Sequence, residues 1–295
     1  MRIFSRIPLV FLLALAFLFS PFPAASGELR VLASFLPVYL FARNVANGAP
    51  GVSVEIMLPA SLGCPHDYSL TPGDMKKIAS ADLFIANGYG MEEFLGAPVR
   101  KANPRIRVVE SAQGAAPIRT DGHGGVNPHT WVSPRNAIRQ VRNIEKALSA
   151  VSPGNAGVFR RNADAYTAKL AVLAKEFDDA SAKFRNRKIV TFHNVFDYLA
   201  RDLGLEIVGE IEETPGQEPS AGEIARLIRS IRGKGAAAVF WEPQYPKRLA
   251  DMIAAEAGVP SHALDPVSTG SADPSTYETV MRQNLRTLKE ALGTR

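Results

Sequence analysis

Cysteine is nearly absent: Cys64 is the only one in 295 residues. An internal disulfide is therefore excluded, and the fold must hold through its apolar core alone. Cys64 stands two residues from His66. With no second cysteine to support a metal thiolate, it reads as a small buried residue beside a loop. Histidine is scarce as well, with five in the chain. There is no dense Lys/Arg block and no Gly-aromatic RNA-binding signature, and the formal charge is only +5. That argues against a nucleic-acid partner and for a solvated basic surface. No apolar run reaches the about 20 residues that a membrane-spanning helix needs. What remains, 46% hydrophobic and 21% charged residues, is the balance of a globular protein rather than a disordered or multi-span one. The length suits two domains of ordinary size.

The longest apolar stretch is "IPLVFLLALAFLF", residues 7–19, preceded by Arg2 and Arg6 and followed by "SPFPAASG". A charged start, a short apolar run and small residues make a cleavable export signal. Cleavage after Ala25 or Ser26 fits best, giving a leader of residues 1–26; an uncleaved anchor is the alternative. No cysteine lies near the cleavage site, which predicts a periplasmic product with neither a lipid anchor nor a membrane-inserted segment.

Downstream, strand and helix periods alternate. "ELRVLASF", "VSVEIML", "DLFIAN" and "RIRVVES" read as strands, with a helix over 37–47 and another in "TPGDMKKIASA", where Thr71 is the cap and Pro72 the first residue. A loop rich in Gly and Pro follows. Ser133-Pro134 and Ser152-Pro153 each open a helix. From 155 to about 184, Val158, Tyr166, Leu170, Leu173, Phe177 and Phe184 fall on one stripe. A helix of about 30 residues spans about 45 Å, more than one small domain requires. The alternation then resumes with strands "KIVTFH", "LEIVGEI", "AAAVFWE" and "SHALD", Gly204 closing one helix and Ser220 capping another. The expectation is an α/β protein of two lobes, each a small mostly parallel sheet flanked by helices. They are expected at 27–152 and 186–295, joined by one long rigid helix at 153–185.

Ligands of open α/β sheets bind beyond the carboxyl ends of the strands. His66 follows the second strand, His129 the fourth, His193 ends "KIVTFH" and Asp265 ends "SHALD". Each has an ordinary explanation when taken singly: a turn histidine, a helix cap, a core histidine, a turn aspartate before Pro266. Together, three imidazoles and one carboxylate suit four-coordinate zinc. His262 falls inside a strand, and His123, in "DGHGG", reads as a solvated loop residue.

These segments resemble the cluster A-I zinc and manganese solute-binding proteins of ABC transporters. The likeness is carried by "PHDYSLTPGDMKKIASADLFIANG" with "GMEEFL", by "NPHTWVSPRNAI", by "TFHNVFDYLARDLGLEIVG" with "EPSAGEIARLIRSI", and by "VFWEPQ" with "ALDPVS". It covers essentially the whole chain after the leader. It implies two lobes joined by a rigid helix, an ion held at their interface, and ligand roles for His66, His129, His193 and Asp265. In that family a histidine at the third position goes with zinc and a glutamate commonly with manganese, so His193 points to zinc. The chain departs from the family in having Ser69 where Glu is frequent, in a His-rich loop reduced to "DGHGG", and in lacking paired cysteines.

The expected function is an exported, monomeric zinc receptor that delivers Zn²⁺ to an ABC permease and performs no chemistry. Glu242 and Glu218, near strand ends, are either groups that hold the histidine rings by hydrogen bonds or, equally well, surface carboxylates. The alternatives are a manganese receptor of the same family, a zinc-dependent hydrolase, or a metal-bearing adhesin. Against the hydrolase, Asp265 fills the fourth position and no HExxH, GxSxG or Walker motif occurs. The long helix predicts little hinge motion, with changes confined to the loops of His66, His129 and "EETPGQEPS".

Overall fold

The computed structural model describes residues 28–293 apart from 64, 66, 67, 120–124 and 213–216. The expected leader, Cys64, His66 and His123 lie outside the described residues.

The first sheet is built from β1 (Leu29–Ala33), β2 (Val52–Ile56), β3 (Leu83–Ala86) and β4 (Arg107–Glu110), all parallel, in the order β2-β1-β3-β4. The second repeats that order with β5 (Lys188–Thr191), β6 (Glu206–Glu210), β7 (Ala238–Trp241) and β8 (Ser261–Ala263) as β6-β5-β7-β8. Parallel neighbours require crossovers. α1 (Leu36–Ala46), α2 (Pro72–Ser80) and α3 (Gly96–Ala102) supply them in the first lobe; α6 (Asp197–Leu203), α7 (Ala221–Lys234) and α8 (Arg248–Ala257) do so in the second. In both sheets the order reverses between the first and third strands, the switch point where such folds bind ligands.

Local chemistry sets the helix ends. Thr71 accepts from the Asp74 N–H while the Asp74 carboxylate accepts from the Thr71 N–H, a reciprocal cap before Pro72. Ser220 and Glu223 make the same box for α7. Gly204 closes α6 at φ 63°, a conformation that costs side-chain-bearing residues. The period reading passes over α3, because Gly96 and Pro98 within it are poor helix formers; packing against α2 carries it instead.

α4 (Pro134–Val151) and α5 (Ala156–Ser181) follow the first sheet, and α9 (Thr276–Leu292) closes the chain. α5 has 26 residues, about 39 Å, a little shorter than the periodicity suggests, with Tyr166, Leu170, Leu173 and Phe177 buried along its stripe. It packs on α4, α1 and α9. One apolar cluster runs from the first sheet through these four helices to the inner face of the second sheet, at Ile189, Ala238 and Phe240. The alternate residues Val190 and Val239 face the other way, onto α7 and α8. The lobes therefore share a core, and α9 crosses back: Tyr277 donates its hydroxyl proton to the Trp131 carbonyl at 2.7 Å and meets Phe41 edge-on at 5.0 Å. Among the described residues no helix is long and apolar enough to cross a membrane.

Candidate metal centre

β5 and β7 are adjacent parallel strands, so residues just beyond their carboxyl ends must meet. His193, two residues past β5, and Glu242, the first past β7, are both buried. Nδ1 of His193 stands 2.6 Å from Glu242 Oε1. Gln244 donates to the other carboxylate oxygen at 2.5 Å. Burial raises the Glu242 pKa, and His193 is the main force in the opposite direction. The carboxylate thus orients the imidazole and increases its basicity.

His129 arrives from the first lobe, in the long loop after β4, and is fully buried. It does not cap a helix with its side chain; Ser133 caps α4 instead. Its Nδ1 faces Asn127 Oδ1 at 2.8 Å. The imidazoles of His129 and His193 meet edge-on, centroids 5.2 Å apart. With Nδ1 engaged by Glu242 on one ring and by Asn127 on the other, Nε2 is the nitrogen through which each would take a metal.

Asp265 follows β8 by two residues. Asn284 of α9 clasps its backbone from both sides, accepting from the N–H at 2.9 Å and donating to the carbonyl at 2.6 Å. Its Oδ1 accepts from the Val267 N–H at 2.7 Å. Val267 is buried with φ 62°, a left-handed conformation costing a β-branched residue about 1–3 kcal/mol. Burial raises the Asp265 pKa, partly offset by the Val267 hydrogen bond. Trp131, two residues beyond His129, donates from Nε1 to the Pro266 carbonyl at 2.7 Å, which ties this loop to that of His129.

Of the four expected ligands, two are in contact, a third sits in a loop bonded to the loop of the first, and His66 lies outside the described residues. Among the described residues no three His, Cys, Asp or Glu side chains are gathered closely enough to hold a metal ion. The Asp265 carboxylate instead serves its own loop. Glu242 takes the ring-holding position expected of it. Glu218 lies exposed in the polar turn before α7, and His262 is half-buried on the edge strand β8. A cleft of about 660 Å³ opens between the lobes beside these groups, lined by Leu62, Gly63, Gln244, Tyr245 and Thr269; the Gly270 N–H donates to the Ala60 carbonyl across its rim. Sequence reasoning missed Asn127, Asp197 and Asn284. The first stands inside the quoted "NPHTWVSP", but a neutral amide carries no charge signal.

The chain is similar to proteins with metal-related descriptions. The zinc-binding lipoprotein AdcA of Streptococcus pneumoniae serotype 4 is 31% identical over 284 residues, covering 90% of this chain and 56% of that protein. The chain thus spans about half the length of that relative. A crystal structure of a 138–173 deletion mutant of ZnuA with zinc bound has a TM-score of 0.79 at 28% identity, covering 91% of this chain and 99% of the other. The solute-binding protein FpvC of Pseudomonas aeruginosa, solved with Mn²⁺, has a TM-score of 0.80 at 29% identity, covering 90% and 98%. Residues 31–291 match the family described as ZnuA, zinc-uptake complex component A, periplasmic, and the chain belongs to that family.

Proposed function

We propose that the chain is an exported receptor that captures Zn²⁺ between its lobes and delivers it to an ABC permease. The observation that carries this reading is the buried edge-on pair His129–His193, one ring from each lobe, each with Nδ1 engaged. Two such imidazoles suit zinc, and Asp265 with His66 would complete a tetrahedral set. The ion is cargo: it enters by exchanging water for these four donors, and the cleft beside Gln244 and Tyr245 gives it access. Rotation of the Asp265 carboxylate from the Val267 N–H toward the ion completes capture. The ligands must be deprotonated, so affinity falls as pH drops below the imidazole reference of about 6.5.

The proposal includes the division into lobes at 27–152 and 186–295 with the helical link at 153–185, removal of the leader, a monomeric product without a lipid anchor, and no catalytic turnover. Elemental analysis of protein purified without chelator, alongside alanine variants of His66, His129, His193 and Asp265, tests it. One zinc per chain, lost in the variants, is expected. Metal-free wild type, or turnover of esters or phosphoesters abolished by His193→Ala, would overturn it. Manganese is the second reading, favoured by the FpvC neighbour. Preferential retention of Mn²⁺ over Zn²⁺ in competition would establish it.

A further inference from the structure

The two histidine loops are joined through one side chain. Asn127 is fully buried, and every hydrogen-bonding position of its amide is used. Oδ1 accepts from the His129 backbone N–H at 2.9 Å and faces His129 Nδ1 at 2.8 Å. Nδ2 donates to the carbonyl of Asn194, next to His193, at 2.7 Å, and to Asp197 Oδ2 on α6 at 2.9 Å. The backbone is engaged too, its N–H donating to Ile118 and its carbonyl accepting from the Tyr198 hydroxyl, both at 2.8 Å. The amide has one possible orientation: both groups facing Nδ2 are acceptors, and a backbone N–H faces Oδ1. An Oδ1 without a proton requires that Nδ1 of His129 carry one. The lone pair is then at Nε2.

We propose that Asn127 is a positioning residue for metal capture: it selects the tautomer of His129 and ties that ring to the loop of His193 across the lobe boundary, with Asp197 holding the amide from the far side. This rests on the reading of His129 and His193 as ligands. α6 extends the tie, since Tyr198 binds the Ile118 N–H, Arg201 the Ala116 carbonyl, and Asp202 accepts from Ser133. Residues on successive turns of one short helix grip the first-lobe segment that carries His129. The two rings are therefore held as one unit before any ion arrives, and little ordering is left for the ion to impose.

Asn127→Asp separates the two jobs. It keeps an acceptor for His129, loses both donors, and sets a carboxylate against Asp197. Asp197→Asn alone still offers an oxygen to Nδ2. The double variant restores a donor–acceptor pair with the roles reversed. Zinc affinity by chelator competition is expected to fall about 10–100-fold in Asn127→Asp, the lost tie to Asn194 and the repulsion from Asp197 outweighing the basicity that a carboxylate beside Nδ1 adds to His129. It should change little in Asp197→Asn and lie nearer wild type than Asn127→Asp in the double variant. A second measurement needs no metal. Imidazole ¹⁵N spectra of the metal-free protein at pH 8 should place the His129 proton on Nδ1 in wild type and on Nε2 in Asn127→Leu. Wild type that binds zinc while Asn127→Asp binds equally well, a double variant no better than Asn127→Asp, or a His129 proton on Nε2 in wild type would each overturn the proposal and leave the receptor reading standing. Wild type that binds no zinc would bring down both.

Discussion

The two lobes have the same strand order, yet they use their switch points differently. In the second lobe the residues beyond the first and third strands are His193 and Glu242, and the carboxylate touches the ring directly. In the first lobe the corresponding places, two residues past β1 and one past β3, hold Phe35 and Asn87, neither of which offers an imidazole or a carboxylate. Asn87 instead steadies the loop that brings His129 from the edge strand, donating to the Pro128 carbonyl at 2.7 Å and accepting from Gln140 at 2.9 Å. A carboxylate is present here as well, one step further back: Glu92 accepts from the N–H groups of Asn87 and Gly88. The same architecture thus supplies one imidazole backed by an anion and another backed by a neutral amide. The first ring is made more basic; the second is only oriented. Charge next to a ligand strengthens its hold on a cation, whereas charge two residues away steadies the backbone.

Removing the rings gives the largest effects and separates the two sides. His193→Ala and His129→Ala should both abolish tight zinc binding, which chelator competition will read. Their cost to the metal-free protein should differ. His193→Ala leaves Glu242 buried without its partner, about 3 kcal/mol by analogy with broken buried pairs. His129→Ala leaves only a neutral amide short of one bond, about 1 kcal/mol. Denaturant titration of the two apo variants measures the difference, and equal losses would refute the asymmetry. Next in size is Glu242→Gln, which keeps a hydrogen-bond acceptor beside Nδ1 and removes the charge. Zinc affinity should fall about tenfold; an unchanged value would mean that the carboxylate only orients the ring.

Much of this was legible in the sequence because it is carried by periodicity and by residue type. The alternation of Val31, Leu83, Ile189 and Val239 with their neighbours marks the strands, and Ser133, Thr71 and Ser220 mark helix starts through short-range capping chemistry. His129, His193 and Asp265 stand out as candidates because histidine is rare and strand ends are special, and the structure brings the two imidazoles together. The segment 126–133 that carries His129, expected to be among the parts that change on loading, is mostly buried and is tied to Tyr198, Asp197 and Pro266, which lie 71, 70 and 135 residues from their partners in it. No local pattern announces such contacts. Asn127, Asn284 and Asn87 are short amides of the kind that fill turns everywhere, and only their long-range partners distinguish them. The strain at Val267 is equally silent, because a valine gives no sequence hint of positive φ.

A smaller effect tests the charge held at a distance in the first lobe. Burial pushes Glu92 up to about 7, against the hydrogen bonds from Gly88 and Asn87. Its unfolded value is about 4.3. The folded state therefore binds this proton more tightly than the unfolded one, and the group's contribution to stability falls as pH rises from about 4.3 to about 7. Glu92→Gln removes that dependence. The Tm of the metal-free variant relative to wild type should rise between pH 5 and pH 8, with no corresponding tenfold change in zinc affinity. A flat difference across that window would show that Glu92 does not titrate there. A large affinity loss would show that the two lobes back their histidines more alike than their contacts indicate.

The smallest expected effect is on overall shape. Both lobes are sewn to one core by α5 and α9, and the loops of His129, His193 and Asp265 are bonded to one another through Asn127 and Trp131. Opening the lobes as rigid bodies would break Tyr277–Trp131, Trp131–Pro266, Tyr198–Asn127 and Ser133–Asp202 together. Three buried hydrogen bonds and one part-buried, of about 1 kcal/mol each, with the apolar contacts around them, exceed what turning one carboxylate toward an ion requires. Small-angle scattering should give the same radius of gyration, within error, for metal-free and zinc-loaded protein, while the environment of Trp131 changes. Measurable compaction on zinc addition would mean that the seam opens, and the asymmetry between the two histidine brackets would then belong to the closed state only.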